Sequence, residues 1–300
     1  MKFDLHMHSA ASADGQYSVE ELIAIAKEKN LEVIALSDHN TVANVDEMMH
    51  QGQQAGIKVI PAVECTTAYG DLELHCLAYG LNHHDDYFES LAQRVETALN
   101  ASTLQRIKLF ETFFKIDLDE TYYVSLAEHG FLNQVIEHLV QEPQLQNNPD
   151  IAPFLPGGAL SNPLVPNFYY HFCASGQPCY INVNYPDFGA TVKAIHEAGG
   201  VAILAHPWTF FDHDVQGLNK IFETGLDGLE AYSNYHSPQQ NQFYEEYARE
   251  HNYIFTCGSD FHGRLKPDIE MGATHYLRHD EARVLDKLYK RIDQRSLMRQ

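Results

Sequence analysis

Basic side chains are scarce in this 300-residue sequence: 20 Lys and Arg stand against 41 Asp and Glu, a formal net charge of −21 at pH 7. A surface that tracks a nucleic-acid backbone needs a basic stripe, so an extended nucleic-acid surface is excluded while a small anionic substrate is not. Bound divalent cations would offset part of the carboxylate excess. Cysteine is sparse too. Cys65, Cys76, Cys173, Cys179 and Cys257 are odd in number and contain no C-x-x-C pair, which argues against a disulfide framework and fits reduced, buried thiols. No stretch approaches 18 apolar residues, and the chain enters a strand without a basic or apolar leader, so the expectation is a soluble, cytoplasmic protein without membrane contact. Repeats and low-complexity tracts are also missing.

Against these absences stand 44 % hydrophobic residues and 18 histidines. The length suits one barrel-sized domain carrying an insertion. Phe3 to His8 alternates apolar and polar residues, the period of a strand, so His6 and His8 share one face, and Asp14 follows in the next turn. Ser18-Val19-Glu20-Glu21 is a capping box opening a helix with Leu22, Ile23 and Ala26 on one face. Leu31–Ser37 is an apolar strand ending in Asp38-His39-Asn40. A helix over Val45–Ala55 leads to a strand from Ile57 through Glu64, and Leu72–Leu77 is a fourth strand containing His75. Tyr69-Gly70-Asp71 reads as a hairpin turn.

The rhythm then changes. Helical spacing runs from Tyr87 to Lys115 and again from Val124 to Val140. Eight of the twelve prolines fall between Pro143 and Pro186, marking an irregular return. Residues 1–94 and 173–300 are therefore expected to form a barrel, and 95–172 an inserted, mainly helical substrate or cap subdomain. After it come a helix to Ala198, a strand Val201–Ala205 ending in His206-Pro207, and another at Leu229–Tyr232. A helix Pro238–His251 precedes a strand Tyr253–Cys257 that runs into Gly258-Ser259-Asp260-Phe261-His262. The last segment is an amphipathic helix. About seven strands alternating with helices predict an α/β barrel of parallel units.

In such a barrel the strand ends that lead into helices form one rim, where sites gather. His6, His8, His39, Glu64, His75, His206, Asp260 and His262 are all expected there, with Asp14 beside them. One strand-end histidine is commonly structural; this many at successive strand ends is not coincidence. A nitrogen and oxygen set without thiolate suits zinc, iron or manganese. Nine ligands exceed the needs of one ion, and three ions with Glu64 bridging use them without surplus. Clustered divalent cations suit phosphoester hydrolysis.

The runs Asp4-Leu5-His6-Met7-His8-Ser9, Ser37-Asp38-His39-Asn40-Thr41, Ala205-His206-Pro207 and Gly258-Ser259-Asp260-Phe261-His262-Gly263 resemble the four motifs of the polymerase and histidinol phosphatase (PHP) superfamily. Pro61-Ala62-Val63-Glu64, His75 before Tyr79-Gly80, Gly199-Gly200 and Gly228-Leu229-Glu230 agree with it. The resemblance spans nearly the whole chain and is greatest to the metal-dependent phosphoesterases of nucleotides, in which a helical insertion accompanies a distorted seven-stranded barrel. It implies three metal sites: His6, His8 and Asp260, with Glu64 bridging; Glu64, His75 and His206; and Asp14, His39 and His262. The turn Ser12-Ala13-Asp14-Gly15 is one residue longer than the family's Ser-Asp-Gly. Glu64 and Asp260 are the expected catalytic carboxylates, and a metal-bound hydroxide is the expected nucleophile. The implied substrate is a nucleotide phosphomonoester or a short 5′-phosphorylated oligonucleotide, with histidinol phosphate as the alternative. An amidohydrolase-type C–N hydrolase is weaker, because the strand ends offer no lysine to bridge metals; a non-enzymatic metal-binding module is weaker still, because the ligand set is complete.

For phosphate contact the basic candidates are Arg106, within an Arg-Ile pair that resembles one in the family's insertion, together with Arg264 and Lys266. His213 is a candidate proton donor from beyond the fifth strand. Asp4 and Asp38 are candidates for orienting imidazoles, and Trp208, Tyr169, Tyr170 and Phe210 for stacking on a base. His83 and His84 with Asp85 and Asp86 suggest another metal site, but nothing in the sequence fixes their geometry, and a solvated loop is the stronger reading. His129, His138, His196, His251, His275 and His279 default to surface or core roles.

Overall fold

The structure is a computed structural model that describes all residues except 1, 13, 175, 277–280 and 299–300, and omits the side chains of 127–131 and 281. His279 and the side chain of His129 lie outside the described residues. The chain divides into two compact units, residues 1–93 with 185–300, and residues 94–184.

The first unit is a distorted barrel whose seven strands are β1 (Phe3–Met7), β2 (Val33–Leu36), β3 (Lys58–Tyr69), β4 (Leu72–Tyr79), β5 (Val201–Leu204), β6 (Gly228–Tyr232) and β7 (Ile254–Cys257). They hydrogen-bond in sequence order. Beyond β7 the chain turns against β1: Asp260 N–H donates to His6 O at 2.8 Å and His8 N–H to Phe261 O at 2.9 Å. The strand cores are apolar and buried on both faces, as parallel strands covered by helices must be. Ser18 and Glu21 form both halves of the capping box on the helix Val19–Glu28, which buries Val19, Leu22, Ile23 and Ala26.

Strand direction departs from the all-parallel expectation. β3 runs twelve residues and β4 returns antiparallel to it, with Glu64 opposite Leu77 and Thr66 opposite His75. β4 is antiparallel to β5 as well. Glu64 and His75 therefore sit inside a hairpin rather than at ends of strands leading into helices. The hairpin turn was readable at Tyr69-Gly70-Asp71; its consequence, two residues delivered by ladder register, was not.

The second unit contains the helix Glu120–Leu139, most of the helix Leu91–Phe114, and short helical turns in the proline-rich return. Its own core joins Phe110, Phe114, Tyr123, Ile136, Leu139 and Phe168.

Candidate metal centre

Strand ends and the hairpin bring all nine predicted ligands of the first unit together. The Glu64 carboxylate is fully buried at the middle of the group. Its Oε1 lies 2.9 Å from His75 Nδ1 and 2.9 Å from His206 Nε2. Its Oε2 lies 2.9 Å from His6 Nε2, 3.3 Å from His8 Nε2 and 3.4 Å from His39 Nδ1. Asp260 Oδ1 is the second hub, 3.1 Å from His6 Nε2 and 2.9 Å from His8 Nε2. Asp14 Oδ2 approaches His262 Nε2 at 3.0 Å and His39 Nε2 at 3.5 Å.

Three overlapping groups have ligand atoms close enough to share an ion: His6, His8, Glu64 and Asp260; His39, Glu64 and His75; His8, Asp14, His39 and His262. The longer Ser12-Ala13-Asp14 turn does not carry Asp14 away from its neighbours. His206 reaches the second group through Glu64.

The backbone is bent to aim these side chains. Asp260 has φ of 56° and His206 of 25°, left-handed values that non-glycine residues seldom adopt except where their surroundings enforce them. Gly258 lets the end of β7 cross β1 closely, since a Cβ there would stand 2.2 Å from the Cβ of His6.

Charge is unevenly distributed. Burial alone would push Glu64 up, yet the imidazoles of His6, His39 and His75 hold it well below the carboxylate range. Burial likewise opposes protonation of His8 and His75, but the carboxylates beside them raise these imidazoles to about 9 and about 10. His39 goes the other way, to about 3, because burial dominates. Asp14 Oδ1 is buried without a hydrogen-bond partner, and His39 Nδ1 and His262 Nε2 have only the carboxylate approaches given above, without hydrogen-bond geometry. Orphaned buried donors and acceptors are costly, and a nitrogen and oxygen set with lone pairs turned inward fits divalent cations.

The supporting shell was only partly foreseen. Asp4 and Asp38 do not orient imidazoles. Asp38 accepts from the N–H and the hydroxyl of Ser9, both at 2.6 Å, and Asp4 accepts from the Ser259 N–H at 2.8 Å, the Ser259 hydroxyl at 2.5 Å and the Gly272 N–H at 2.7 Å. They pin the loops that carry the cluster. The imidazole-orienting carboxylate is Glu230, 3.0 Å from His6 Nδ1, which also accepts the His206 N–H at 3.0 Å. Tyr235 donates to Asp260 Oδ2 at 2.5 Å, and Lys266 donates to the same oxygen at 2.9 Å and to the Tyr235 hydroxyl at 2.6 Å.

The sequence profile of the PHP domain matches residues 4–147. Over that stretch the chain is similar to PHP-domain proteins. At 26 % identity it is similar to a phosphoribosyl 1,2-cyclic phosphate 1,2-diphosphodiesterase of Eggerthella lenta, over 87 % of this chain and 94 % of that one. A 5′-3′ exoribonuclease of Haemophilus influenzae is 27 % identical over 87 % of this chain and 90 % of its own. A 3′,5′-nucleoside bisphosphate phosphatase of Chromobacterium violaceum is 23 % identical over 94 % and 97 %. A crystal structure from Bifidobacterium adolescentis superposes with a TM-score of 0.67 at 22 % identity, covering 96 % of each chain, and so shares the fold.

The predicted phosphate contacts fall in different places. Arg264 follows His262 in a short turn, where its backbone N–H donates to Gln16 Oε1 at 2.8 Å and its side chain is exposed. His213 is about half exposed and bonded to Asp212 Oδ1 at 2.7 Å. Arg106 belongs to the second unit, buried, with Nε unpartnered. Lys266 is the cation that touches the cluster. Trp208 stacks on Tyr235 with ring centroids 6.4 Å apart. Among the described residues no helix is long and apolar enough to cross a membrane.

Proposed function

We propose that this chain is a metal-dependent phosphoesterase that releases phosphate from nucleotide phosphomonoesters or short 5′-phosphorylated oligonucleotides. The observation that carries the reading is the buried Glu64 carboxylate shared by five imidazoles, with Asp260 and Asp14 completing overlapping nitrogen and oxygen groups. In this reading His6, His8, Glu64 and Asp260 hold one cation, Glu64, His75 and His206 a second, and Asp14, His39 and His262 a third. When bound, divalent cations polarise phosphoryl oxygens and make water acidic enough to attack phosphorus near neutral pH.

The chain's own residues do the rest. Glu230 fixes the ring of His6, so that Nε2 faces Glu64 and Asp260. Tyr235 and Lys266 hold Asp260 Oδ2, leaving Oδ1 toward His6 and His8. The Lys266 ammonium places positive charge beside the cluster, where a phosphate would need it. Within the same unit, Arg264 and His213 are the remaining candidates for holding the phosphate or protonating the leaving oxygen.

The named activities of the three relatives share hydrolysis of a phosphate ester on a ribose or nucleotide framework, and they support the class. The Chromobacterium violaceum phosphatase supports the monoester. The deciding experiment measures, with metal-replete protein, phosphate release from a nucleoside bisphosphate and a 5′-phosphorylated dinucleotide and ring opening of a ribose cyclic phosphate to its monoester, with Glu64→Gln as control. Turnover of the first two, lost in the control by about 100-fold or more, is expected. Turnover of the cyclic diester alone would overturn the monoester assignment, and equal rates in the control would overturn the site.

A further inference from the structure

A second group of metal-type side chains shares no residue with the centre above. The sequence presents His83 and His84 as a solvated loop, but folding brings Asp46 to them from 37 positions away. Asp46 lies in the first turn of the helix Val45–Ala55, and the two histidines follow β4. His83 Nε2 is 2.8 Å from Asp46 Oδ1, and His84 Nε2 is 3.5 Å from Asp46 Oδ2. One ligand atom from each of the three lies within 4.8 Å of the others. The rings are tilted, with centroids 4.3 Å apart.

An ordinary ion pair explains one imidazole on this carboxylate and leaves the second unexplained. Each carboxylate oxygen faces its own Nε2, the arrangement two imidazoles and a carboxylate adopt around a cation. A tetrahedral ion with ligands at about 2.0–2.2 Å separates its donor atoms by roughly 3.3–3.6 Å. The His84 separation of 3.5 Å already lies in that range, and the His83 separation of 2.8 Å must open by about 0.5 Å to meet it. His83 is 12 % exposed and held by packing, whereas His84 and Asp46 are 61 % and 67 % exposed, so the group is anchored on one side and open on the other. The three line a cleft of about 270 Å³ together with Thr41, Phe88 and Glu89, and no Lys or Arg lines it. Glu89 lines the cleft outside this group of three, and water serves the fourth position.

We propose that Asp46, His83 and His84 form a separate site for a divalent cation of the zinc class, distinct from the hydrolytic centre. Two imidazoles and one carboxylate select zinc, nickel or copper over magnesium or calcium. The ion would tie the segment that follows β4, the strand of His75, to the helix reached from His39. Those are the two histidines that share one group with Glu64. Its role is to brace the supports of the centre. It does not depend on which ester that centre cleaves.

Zinc is the probe. Chelator-stripped full-length protein, the Asp46→Asn/His84→Gln double variant and the Glu64→Gln variant are each titrated by calorimetry, with metal analysis after dialysis. The double variant is expected to hold one zinc equivalent fewer than the wild type while keeping phosphate release. Glu64→Gln is expected to lose zinc from the centre and retain this equivalent. Equal stoichiometry and affinity in the wild type and the double variant overturn the proposal. Both substituted side chains are exposed. Should the double variant nonetheless misfold, anomalous diffraction at the zinc edge from wild-type crystals decides, with a peak between Asp46 and His83 supporting the site and its absence overturning it.

Discussion

Glu230 shows how a residue outside the ligand set can govern it. Its carboxylate faces His6 Nδ1 and the His206 backbone N–H, so it sets the tautomer of one imidazole and the position of another. Removing such a partner costs about 10–100-fold in metal affinity. Glu230→Gln is accordingly expected to weaken zinc binding by that factor in a competitive chelator titration, and an unchanged affinity would refute its orienting role. A second expectation concerns protons. In the metal-free protein His8 and His75 are raised to about 9 and about 10, so both are protonated at pH 7.5 and a cation must displace those protons. Metal affinity should rise with pH through that range. Calorimetry in buffers of differing ionisation enthalpy should register net proton release, and no release would contradict the charge assignment. The nine clustered side chains were legible because each sits in a short local pattern. Glu230, Tyr235 and Lys266 were not legible in their roles, because their importance lies in contacts with His6 and Asp260 across long stretches of sequence. Asp46 escaped notice for the same reason.

At the scale of elements, the capping box, the apolar strand runs and the Val45–Ala55 helix were readable from periodicity. The hairpin turn at Tyr69-Gly70-Asp71 signalled the reversal of β4 against β3, but the antiparallel pairing of β4 with β5 across the inserted segment had no local signal. Nor was the anchor of the C-terminal helix visible. That helix, Glu281–Met298, sends Arg291 and Arg295 to Asp227, which is buried just before β6 and also holds His196 at 2.9 Å and the Ala202 N–H at 3.0 Å. Burial would raise this carboxyl, but His196 and Arg295 bring it to about 2. Its folded value lies below its unfolded one, so the resulting stability is present above the unfolded value near 3.8 and disappears as pH falls toward 2. That depression is worth about 2 kcal/mol near neutral pH. Asp227→Asn should lower urea stability at pH 7 by at least that amount, with the difference from wild type narrowing below pH 4. A pH-independent difference would mean that packing, not charge, is what the residue supplies.

Across the whole molecule the carboxylate excess sets the reach of binding. With 20 basic residues in 300, few phosphates can be neutralised at once, and each neutralised phosphate of a single strand contributes a slope of about −0.7 to log K against log salt. For a 5′-phosphorylated oligonucleotide the slope is expected to stay near −1 to −2 and not to steepen between four and twelve nucleotides. Steepening with length would reveal a backbone track, contrary to the expectation from composition. Finally, residues 94–184 lie in the sequence between β4 and β5, which are bonded neighbours from Cys76 opposite Leu204 to Tyr79 opposite Val201. A chain that leaves and re-enters between adjoining strands keeps their ladder intact. Exchange of that segment would leave the histidines and carboxylates of the barrel on an unbroken set of strands.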